Sequence, residues 1–324
     1  MTSPEISVIV PTRNRAALVG RLLMQLTRPH TPRPTQEIVV VDEASTDATP
    51  ELLDGFSSRH GVRVVRHDSP LGLSAARNAG VKAATGDYLA WIDDDDLTAP
   101  DRLQRQLDAL RHGPFRWSCA ARVDIDDDLR VIGHRRCPGS EGLLTALLRS
   151  NCLPTAGQGL VVERSLAEEV GPYDERLSSA EDWDYCIRLM QRATPHLLDE
   201  PLVGYRIGPT SMSTNTGRMI EAIEAVIAKH AALYEEHGVT PDWAAIHQSL
   251  LTADLRHSRW RAGARAVRLA RAEPSSLALL RVGLVLAVPR WFERRSAERR
   301  RLQVPAWWEA QARRWLDDVG TSSS

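Results

Sequence analysis

The sequence predicts an α/β protein whose sheet is parallel and covered by helices on both faces. Four short apolar runs of strand length occur in the first hundred residues, namely Ile6–Val10, Glu37–Val41, Val62–Val65 and Tyr88–Ile92. Segments with apolar residues at helical spacing lie between such runs, as in the leucine-rich segment 18–26. Strands that alternate with helices in this way are typical of a parallel sheet buried on both faces.

The chain beyond residue 70 predicts further helices and strands. A helix at Ser74–Ala84 precedes the fourth run, and a leucine-lined helix at Arg102–Leu110 follows it. Trp117–Asp124 and Leu129–Gly133 have strand character, and the acidic turn Asp126–Asp128 between them is typical of a hairpin tip. The remaining predicted elements are a helix at Leu143–Leu148, a strand at Gly157–Val162, helices at Ser165–Val170 and Ala180–Gln191, a strand at Leu197–Tyr205, and helical structure from about Thr214.

Composition places the chain among ordinary globular proteins. Its 324 residues are 43% hydrophobic and 26% charged, and the net charge of −1 provides no positive field that would favour nucleic acid. The four cysteines lack the spacing of a zinc site, so we expect reduced thiols in a cytoplasmic protein. The apolar stretches are too short for a signal peptide or a membrane-spanning helix.

The most informative local feature is a run of aspartates, Asp93–Asp96, directly after the apolar run Tyr88–Ile92. Adjacent carboxylates at the end of a buried strand repel one another unless a cation lies near them. Mg²⁺ commonly uses one or two carboxylates together with the phosphates of a substrate. The cluster therefore indicates a site for a metal ion and a diphosphate, although a solvated acidic loop would explain the same residues taken alone.

Other polar residues follow the neighbouring predicted strands. Pro11, Thr12 and Arg13 come after the first run, and Asp42 comes after the second. Ligands bind open α/β sheets at the edge formed by the carboxyl ends of the strands. We therefore expect these residues to converge with Asp93–Asp96 on one crevice, although they are distant in the sequence.

Five sequence motifs resemble those of family 2 glycosyltransferases with the GT-A fold. Each motif is weak alone, but all five occur in the order of the family and cover roughly residues 5–213. The first-strand motif is Ile6–Arg15, and the second-strand motif with its acidic end is Val39–Asp47. The Ala-Arg-Asn-x-Gly helix is Gly72–Gly80, and the Asp-x-Asp region is Ile92–Asp96. The acceptor-side segment with its Glu-Asp pair comprises Gly171–Glu175 and Ala180–Asp184.

The resemblance implies a Rossmann-like mixed sheet flanked by helices, the fold of nucleotide-diphospho-sugar transferases. It implies a catalytic domain at residues 1–213, with a nucleotide-binding half at 1–113 and an acceptor-binding half at 114–213. Residues 214–324 would form a helical C-terminal extension.

The resemblance also implies an inverting, metal-dependent enzyme that transfers a sugar from a nucleoside diphosphate sugar to a hydroxyl group. A uridine diphosphate sugar is the expected donor, and Mg²⁺ or Mn²⁺ is the expected cofactor. The expected acceptor is a glycan, a lipid-linked molecule or a natural product. A homodimer is also considered.

The nucleotide-binding residues follow from the same resemblance. Residues 11–13 and Asp42 would contact the base and ribose, and Arg77 would reach the nucleotide or its phosphates. Arg13 and Arg15 are weaker candidates for the role of Arg77. The alternative for Asp42 is a helix N-cap or an Asx-turn, and the alternative for Arg77 is a surface ion pair.

Each aspartate of the cluster has an implied place. Asp95 would bind the metal ion, Asp94 would bind the ribose or belong to the metal shell, and Asp93 would support both. The sequence favours a different role for Asp96, as the cap of the helix that follows Pro100.

Asp182 is the candidate general base. Inversion at an anomeric carbon requires attack from the face opposite the leaving group, and a carboxylate there can accept the proton of the acceptor hydroxyl. Asp182 precedes an apolar-periodic segment, so simple helix capping is the alternative, although Ser179 could cap equally well. Glu181 and Asp184 are second choices for the base.

The chain departs from the family pattern at two positions. Gly208 stands where a histidine often follows the last strand, so water or Ser211 would have to replace that ligand. Glu43 replaces the usual second aspartate. These departures keep open a non-catalytic nucleotide-sugar-binding protein. An aspartyl phosphotransferase is a weaker alternative, because Leu97 stands where such enzymes need threonine or valine.

The C-terminal third carries no catalytic motif. The apolar segment Leu277–Phe292, followed by several arginines, favours either a helix on an anionic membrane surface or a helical hairpin packed on the catalytic domain. Trp307, Trp308 and Trp315 would mark an interface or dock the tail.

Overall fold

A mixed sheet runs through the part of the chain that the computed structural model describes. That part comprises residues 4–29, 33–207, 216–257, 259–272 and 298–320, together with positions 285, 287 and 295. Within it, nine strands form one sheet that helices flank.

The first half of the sheet alternates strands with helices, as the sequence predicts. Its elements are β1 (Ile6–Thr12), α1 (Ala16–Thr27), β2 (Gln36–Asp42), α2 (Thr49–His60), β3 (Arg63–Arg66), α3 (Leu73–Ala83) and β4 (Tyr88–Trp91). Strand β1 pairs with β2 and β4, and β2 pairs with β3, all in parallel. The carboxyl ends of these four strands therefore share one edge.

The second half makes the sheet mixed. Its elements are β5 (Leu97–Thr98), α4 (Arg102–His112), β6 (Trp117–Ile125), β7 (Val131–Arg135), α5 (Leu143–Arg149), β8 (Leu160–Glu163), α6 (Arg164–Val170), α7 (Glu181–Met190) and β9 (His196–Arg206). Strand β8 lies antiparallel between β4 and β6, and β9 is parallel to β6. Strands β7 and β5 pair antiparallel with β6 and β9.

The apolar runs of the first half are continuous because both faces of the sheet are covered. Successive side chains of a strand point to opposite faces. Val8 and Val10 accordingly pack in one cluster with Leu22 of α1, whereas Ile9 packs on the other face with Trp91.

Helix α3 lies close to the sheet because a glycine stands at the contact. A Cβ atom at Gly80 would overlap with Cγ2 of Ile9, which is fully buried. The close approach fixes the position of Arg77, which lies three residues earlier on the same helix.

The described part of the C-terminal extension packs against the first 207 residues. Its helices are α8 (Thr216–Lys229), α9 (Ala231–His237), α10 (Trp243–His257), α11 (Arg259–Ala272) and α12 (Ala306–Gly320). Val226 and Tyr234 belong to the same apolar cluster as Trp91. Trp308 and Trp315 of α12 are buried in a cluster with residues of β6 and β9.

Two of the three tryptophans that the sequence predicts to mark an interface or dock the tail have a docking role in the structure. Trp308 and Trp315 dock α12 on the sheet, whereas Trp307 is 56% exposed. The segment Leu277–Phe292 lies outside the described residues except for two positions. None of the described helices has the length and apolarity needed to cross a membrane. The domain boundary at residue 213 remains a prediction.

The predicted starts of two strands are wrong by two residues or more. Strand β8 begins at Leu160 rather than Gly157, because the backbone N–H of Gly159 bonds the carbonyl of Thr155 in a turn. Strand β7 begins at Val131 rather than Leu129, whose φ of 60° belongs to the turn. The hairpin tip itself is confirmed, since Oδ1 of Asp126 accepts bonds from two backbone N–H groups of the turn.

Docking of α12 should contribute strongly to stability. Replacing Trp308 by alanine empties a fully buried site, so we expect the free energy of unfolding to fall by about 3–5 kcal/mol. The neighbouring Trp307→Ala removes a largely exposed ring and should cost less than about 1 kcal/mol. Urea denaturation of both variants measures the difference. Equal losses would contradict the docking of α12 through Trp308.

Candidate active site

A cavity of about 470 Å³ lies at the carboxyl edge of the parallel strands. Its volume falls in the range of roughly 300–1,000 Å³ that small-molecule sites occupy. All but one of the first-choice site residues predicted from the sequence line its wall, and the exception is Asp42. The lining residues among them are Pro11, Thr12, Arg13, Arg77, Asp93, Asp94, Asp95 and Asp182.

Asp42 does not reach the cavity wall. It is almost fully buried, and its Oδ1 accepts the backbone N–H of Ser45, three residues later, at 3.1 Å, which is a local contact with the spacing of a helix N-cap rather than of an Asx-turn. Its Oδ2 lies 4.0 Å from Nε of Arg66. The expectation that Asp42 converges with the other residues in the crevice is therefore wrong for its carboxylate, and its contact with a base stays a prediction.

The next residue, Glu43, lines the cavity instead and holds the loop before α3. Its Oε2 accepts the backbone N–H groups of Leu71 at 2.8 Å and Gly72 at 2.7 Å, and its Oε1 contacts His67. Sequence reasoning treated Glu43 only as a departure from the family pattern. Its place directly after a parallel strand is the signal that would have identified it.

Arg77 is the central cation of the cavity. Its guanidinium is buried, with Nη1 2.6 Å from Oε1 of Glu181 and Nη2 3.1 Å from Oδ1 of Asp93. Burial alone would lower its pKa, but the carboxylates of Asp93 and Glu181 raise the pKa above its ordinary value. The alternative of a surface ion pair is therefore wrong.

Arg15, ranked low from the sequence, is the second cation of the aspartate cluster. Its Nη1 lies 2.7 Å from Oδ1 of Asp94 and 2.9 Å from Oδ2 of Asp95. The hydroxyl of Thr12 donates to Oδ2 of Asp94 at 2.7 Å. The segment after β1 thus holds the aspartates that follow β4, in agreement with the expected convergence of strand ends.

The aspartate cluster remains electrostatically crowded despite these cations. Burial raises the pKa of Asp94 to about 6, although Arg15 and Thr12 act against it. Burial and the charge of Asp93 also raise the pKa of Asp95. An additional cation at these carboxylates would therefore be favourable.

Asp93 and Asp95 have the chemistry that a divalent ion requires. Their side chains are 27% and 24% exposed and line the cavity with carboxylate oxygens, the donors that Mg²⁺ and Mn²⁺ prefer. In the described residues, no three His, Cys, Asp or Glu side chains converge to hold an ion on their own. This fits an ion whose remaining ligands come from phosphates and water.

Asp96 has a structural role other than the predicted one. Its Oδ1 accepts the backbone N–H of Arg206 at 2.9 Å, which joins the end of β4 to the end of β9. Helix α4 begins at Arg102 after Asp101, and no side chain caps it. The prediction that Asp96 caps this helix is wrong, because a tertiary contact occupies its carboxylate.

Asp182 lies at the first turn of α7 and faces the cavity. Its Oδ1 accepts the backbone N–H of Trp183 at 2.7 Å, and its Oδ2 is 3.5 Å from Nδ2 of Asn151. Burial and the neighbouring charge of Glu181 raise its pKa to about 6, while Arg77 acts in the opposite direction. A carboxylate with this pKa is ionised at neutral pH and more basic than an exposed aspartate.

The second choices for a base have other partners. Glu181 is bound to Arg77, as described above. Asp184 is fully buried and absent from the cavity wall, with Lys229 Nζ at 2.8 Å and His230 Nε2 at 2.9 Å. Burial would raise the pKa of Asp184, but His230 and Lys229 lower it to about 2. The predicted departure at Gly208, and Ser211 beside it, lie outside the described residues.

The fold is that of the GT-A class. The structure resembles S. aureus TarS 1–349 in complex with UDP-GlcNAc, with a TM-score of 0.56 and 18% identity over 91% of this chain and 90% of that chain. It also resembles the mannosyltransferase PcManGT of Pyrobaculum calidifontis in complex with GDP-Man and Mn²⁺, with a TM-score of 0.57 and 22% identity over 94% and 88%.

Sequence comparison identifies the family. The glycosyl transferase family 2 model matches residues 7–171, and the chain belongs to this family. An uncharacterized glycosyltransferase of Haemophilus influenzae is 25% identical over 71% of this chain and 79% of the relative. A PGL/p-HBAD biosynthesis glycosyltransferase of Mycobacterium bovis is 31% identical over 58% and 70%. The family and the fold predicted from the five motifs are confirmed. The chain is a glycosyltransferase, so the non-catalytic and phosphotransferase alternatives are set aside.

Removal of Arg77 alone should destabilise the protein strongly, because its carboxylate partners would be left unpaired. Arg77→Met leaves the carboxylates of Asp93 and Glu181 without their cation, and we expect the free energy of unfolding to fall by about 3–5 kcal/mol. Arg176→Met, which removes a highly exposed guanidinium from its contact with Asp174, should cost far less. Urea denaturation compares the two variants. A loss at Arg77 as small as that at Arg176 would contradict the electrostatic role of Arg77.

Proposed function

We propose that this glycosyltransferase is an inverting, metal-dependent enzyme that transfers a sugar from a nucleoside diphosphate to a hydroxyl acceptor. The observation that carries the proposal is one shared cavity. Its wall contains the aspartates that follow β4 and also Asp182 at the start of α7. A sugar bound in this cavity would therefore have the aspartates beside its leaving diphosphate and Asp182 beside the acceptor hydroxyl.

The donor half of the cavity is formed by the ends of β1 and β4. Pro11, Thr12 and Arg13 offer backbone and side-chain contacts to a nucleoside, with Asp42 beneath them as a further candidate. Arginine guanidinium groups match the geometry of phosphate oxygens, which suits Arg13 and Arg15 to a diphosphate. Uridine diphosphate sugars are our first choice of donor. The nucleotides in the titles of the similar structures, UDP-GlcNAc and GDP-Man, support testing guanosine as well.

Asp95 and Asp93 would hold the divalent ion, with Asp94 binding the ribose or lying in the outer shell. The ion, when bound, supplies positive charge that stabilises the leaving diphosphate. Arg15 now contacts both Asp94 and Asp95, so its guanidinium would share these carboxylates with the ion.

Asp182 would act as the general base. It accepts the proton of the acceptor hydroxyl while the hydroxyl oxygen attacks the anomeric carbon from the face opposite the diphosphate, and the configuration at that carbon inverts. Positioned general bases typically contribute about 10²–10⁴-fold to the rate. The bond from the N–H of Trp183 orients one oxygen of Asp182 and leaves the other directed to Asn151 and the cavity.

Four further expectations remain predictions from the sequence. They are an acceptor that is a glycan, a lipid-linked molecule or a natural product, a cytoplasmic location, peripheral membrane contact and a homodimer. They do not affect the tests of the chemistry below.

The pH dependence of turnover tests Asp182. A base with a pKa of about 6 is protonated as the pH falls, so kcat/KM should decrease about tenfold per unit below pH 6 and level off above neutral pH. Release of uridine diphosphate from its sugar conjugate provides the assay. Asp182→Asn should lower turnover by about 10²–10⁴-fold and lose this inflection. Nucleotide affinity measured over the same pH range separates Asp182 from Asp94, whose pKa is similar. Unchanged turnover in Asp182→Asn would overturn the assignment.

Metal-dependent nucleotide binding tests Asp95. A ligand bound only by the folded state stabilises it by about 2.7 kcal/mol at a hundred times its Kd. We expect uridine diphosphate to raise the Tm with Mn²⁺ and to do so much less with EDTA. Asp95→Asn should reduce the Mn²⁺-dependent part, whereas Asp128→Asn at the exposed hairpin tip should not. A Tm increase that is independent of both Mn²⁺ and Asp95 would exclude the metal assignment.

A further inference from the structure

Two arginines of the acceptor half line the cavity near the candidate base. Arg122 on β6 has a carboxylate partner, since its Nε lies 2.9 Å from Oδ1 of Asp124, and its guanidinium stacks 4.0 Å from the ring centre of Tyr205. Arg135 at the end of β7 donates to the backbone carbonyl of Asn151 at 2.6 Å. Among the described residues, no carboxylate lies within ion-pair distance of Arg135.

This arrangement is electrostatically unfavourable in the free protein. The side chain of Arg135 is solvent-exposed at the end of β7, and partial desolvation by the surrounding protein and the like charge of Arg122 lower its pKa. Arg122 and Arg135 are cross-strand partners, and Asp124 forms an ion pair with Arg122 rather than with Arg135. Arg135 therefore presents a guanidinium without a carboxylate partner from the described residues at the cavity wall, where an anionic ligand would form an ion pair with it.

Asn151 connects Arg135 to the proposed base. Its backbone carbonyl accepts the bond from Arg135, and its side-chain Nδ2 lies 3.5 Å from Oδ2 of Asp182. The Oδ1 atom of Asn151 is buried and has no hydrogen-bond partner in the described chain. A free amide oxygen beside a carboxylate is suited to accept a bond from a ligand hydroxyl or N–H group.

The charges around Arg135 belong to the acceptor side rather than to the donor side. Besides Arg122, the aspartates that most affect its pKa are Asp124 and Asp182, not those of the cluster after β4. Strand β7 pairs with β6, whereas Arg13 and Arg15 follow β1. The arginines suited to the donor diphosphate, Arg13 and Arg15, are therefore different from Arg122 and Arg135.

We propose that the acceptor of this enzyme carries an oxyanion, a phosphate or a carboxylate, which Arg135 binds together with Arg122. The reacting hydroxyl would lie at Asp182, with a neighbouring hydroxyl bonded to Oδ1 of Asn151. This inference rests on the proposed function, because Asp182 is the base that defines the acceptor side. Arginine binds both kinds of oxyanion through two parallel N–H bonds.

Anion binding to the nucleotide-saturated enzyme tests the proposal. The full-length protein is first saturated with uridine diphosphate and Mn²⁺, so that the diphosphate position is filled. Inorganic phosphate, and in a second series acetate, is then titrated at constant ionic strength by calorimetry. We expect phosphate or acetate to bind, and Arg135→Gln to weaken that binding by about tenfold or more.

Two further variants make the result specific. Arg130→Gln removes a highly exposed arginine from the tip of the same hairpin and should leave anion binding unchanged. Arg135→Lys keeps the charge and should retain part of the affinity, which distinguishes charge recognition from a general disturbance of the hairpin. Thermal unfolding confirms that each variant is folded.

The outcomes separate this inference from the proposed function. If uridine diphosphate saturates the protein but neither anion binds, or if Arg135→Gln binds the anion as tightly as the wild type, the oxyanion site is wrong and the proposed function stands. If no nucleoside diphosphate binds at all, the proposed function fails and this inference fails with it. Faster sugar transfer to glycerol phosphate than to glycerol, lost in Arg135→Gln, would support the acceptor assignment directly.

Discussion

The cavity depends on one buried guanidinium that joins three distant segments of the chain. Arg77 extends from α3 and binds Asp93 at the end of β4 and Glu181 at the start of α7. Because desolvation offsets much of the Coulomb attraction in a buried ion pair, such a contact contributes little net stability but penalises any arrangement in which one partner is left alone. The positions of the aspartates proposed to hold a metal ion and of the proposed base relative to each other therefore follow from Arg77.

Helix α7 is held from its other side by the C-terminal extension. Asp182 faces the cavity, whereas Asp184, two residues later, lies about 200° around the helix and binds Lys229 and His230 at the end of α8. The extension, which carries no catalytic motif of its own, thus supports the helix that presents the proposed base. Its role in the described part of the chain is to hold α7, and Trp308 extends the same kind of support to the far end of the sheet.

Whether a feature could be predicted depends on how far apart in the sequence the interacting residues lie. The buried strands are visible because both faces of the sheet demand apolar residues, and the aspartates are visible because they follow such a strand. The role of Arg77 is different, since its partner Glu181 is 104 residues away and no local pattern links them. For the same reason the sequence predicts Asp42 rather than Glu43 at the cavity wall. A local contact occupies the carboxylate of Asp42, whereas a tertiary contact positions the carboxylate of Glu43. Strand β5, with two residues, is too short to produce a pattern.

The proposed oxyanion site would also affect the chemistry at Asp182. Arg135 and Asp182 attract each other, so the positive charge of Arg135 favours the ionised carboxylate and lowers its affinity for a proton. An anion bound to Arg135 would cancel this effect and make Asp182 a stronger base at the moment when the acceptor is present. Glu181 already raises the pKa of Asp182, while Arg77 restrains it. Acceptor binding and proton transfer would therefore be coupled through charge alone, without movement of the backbone.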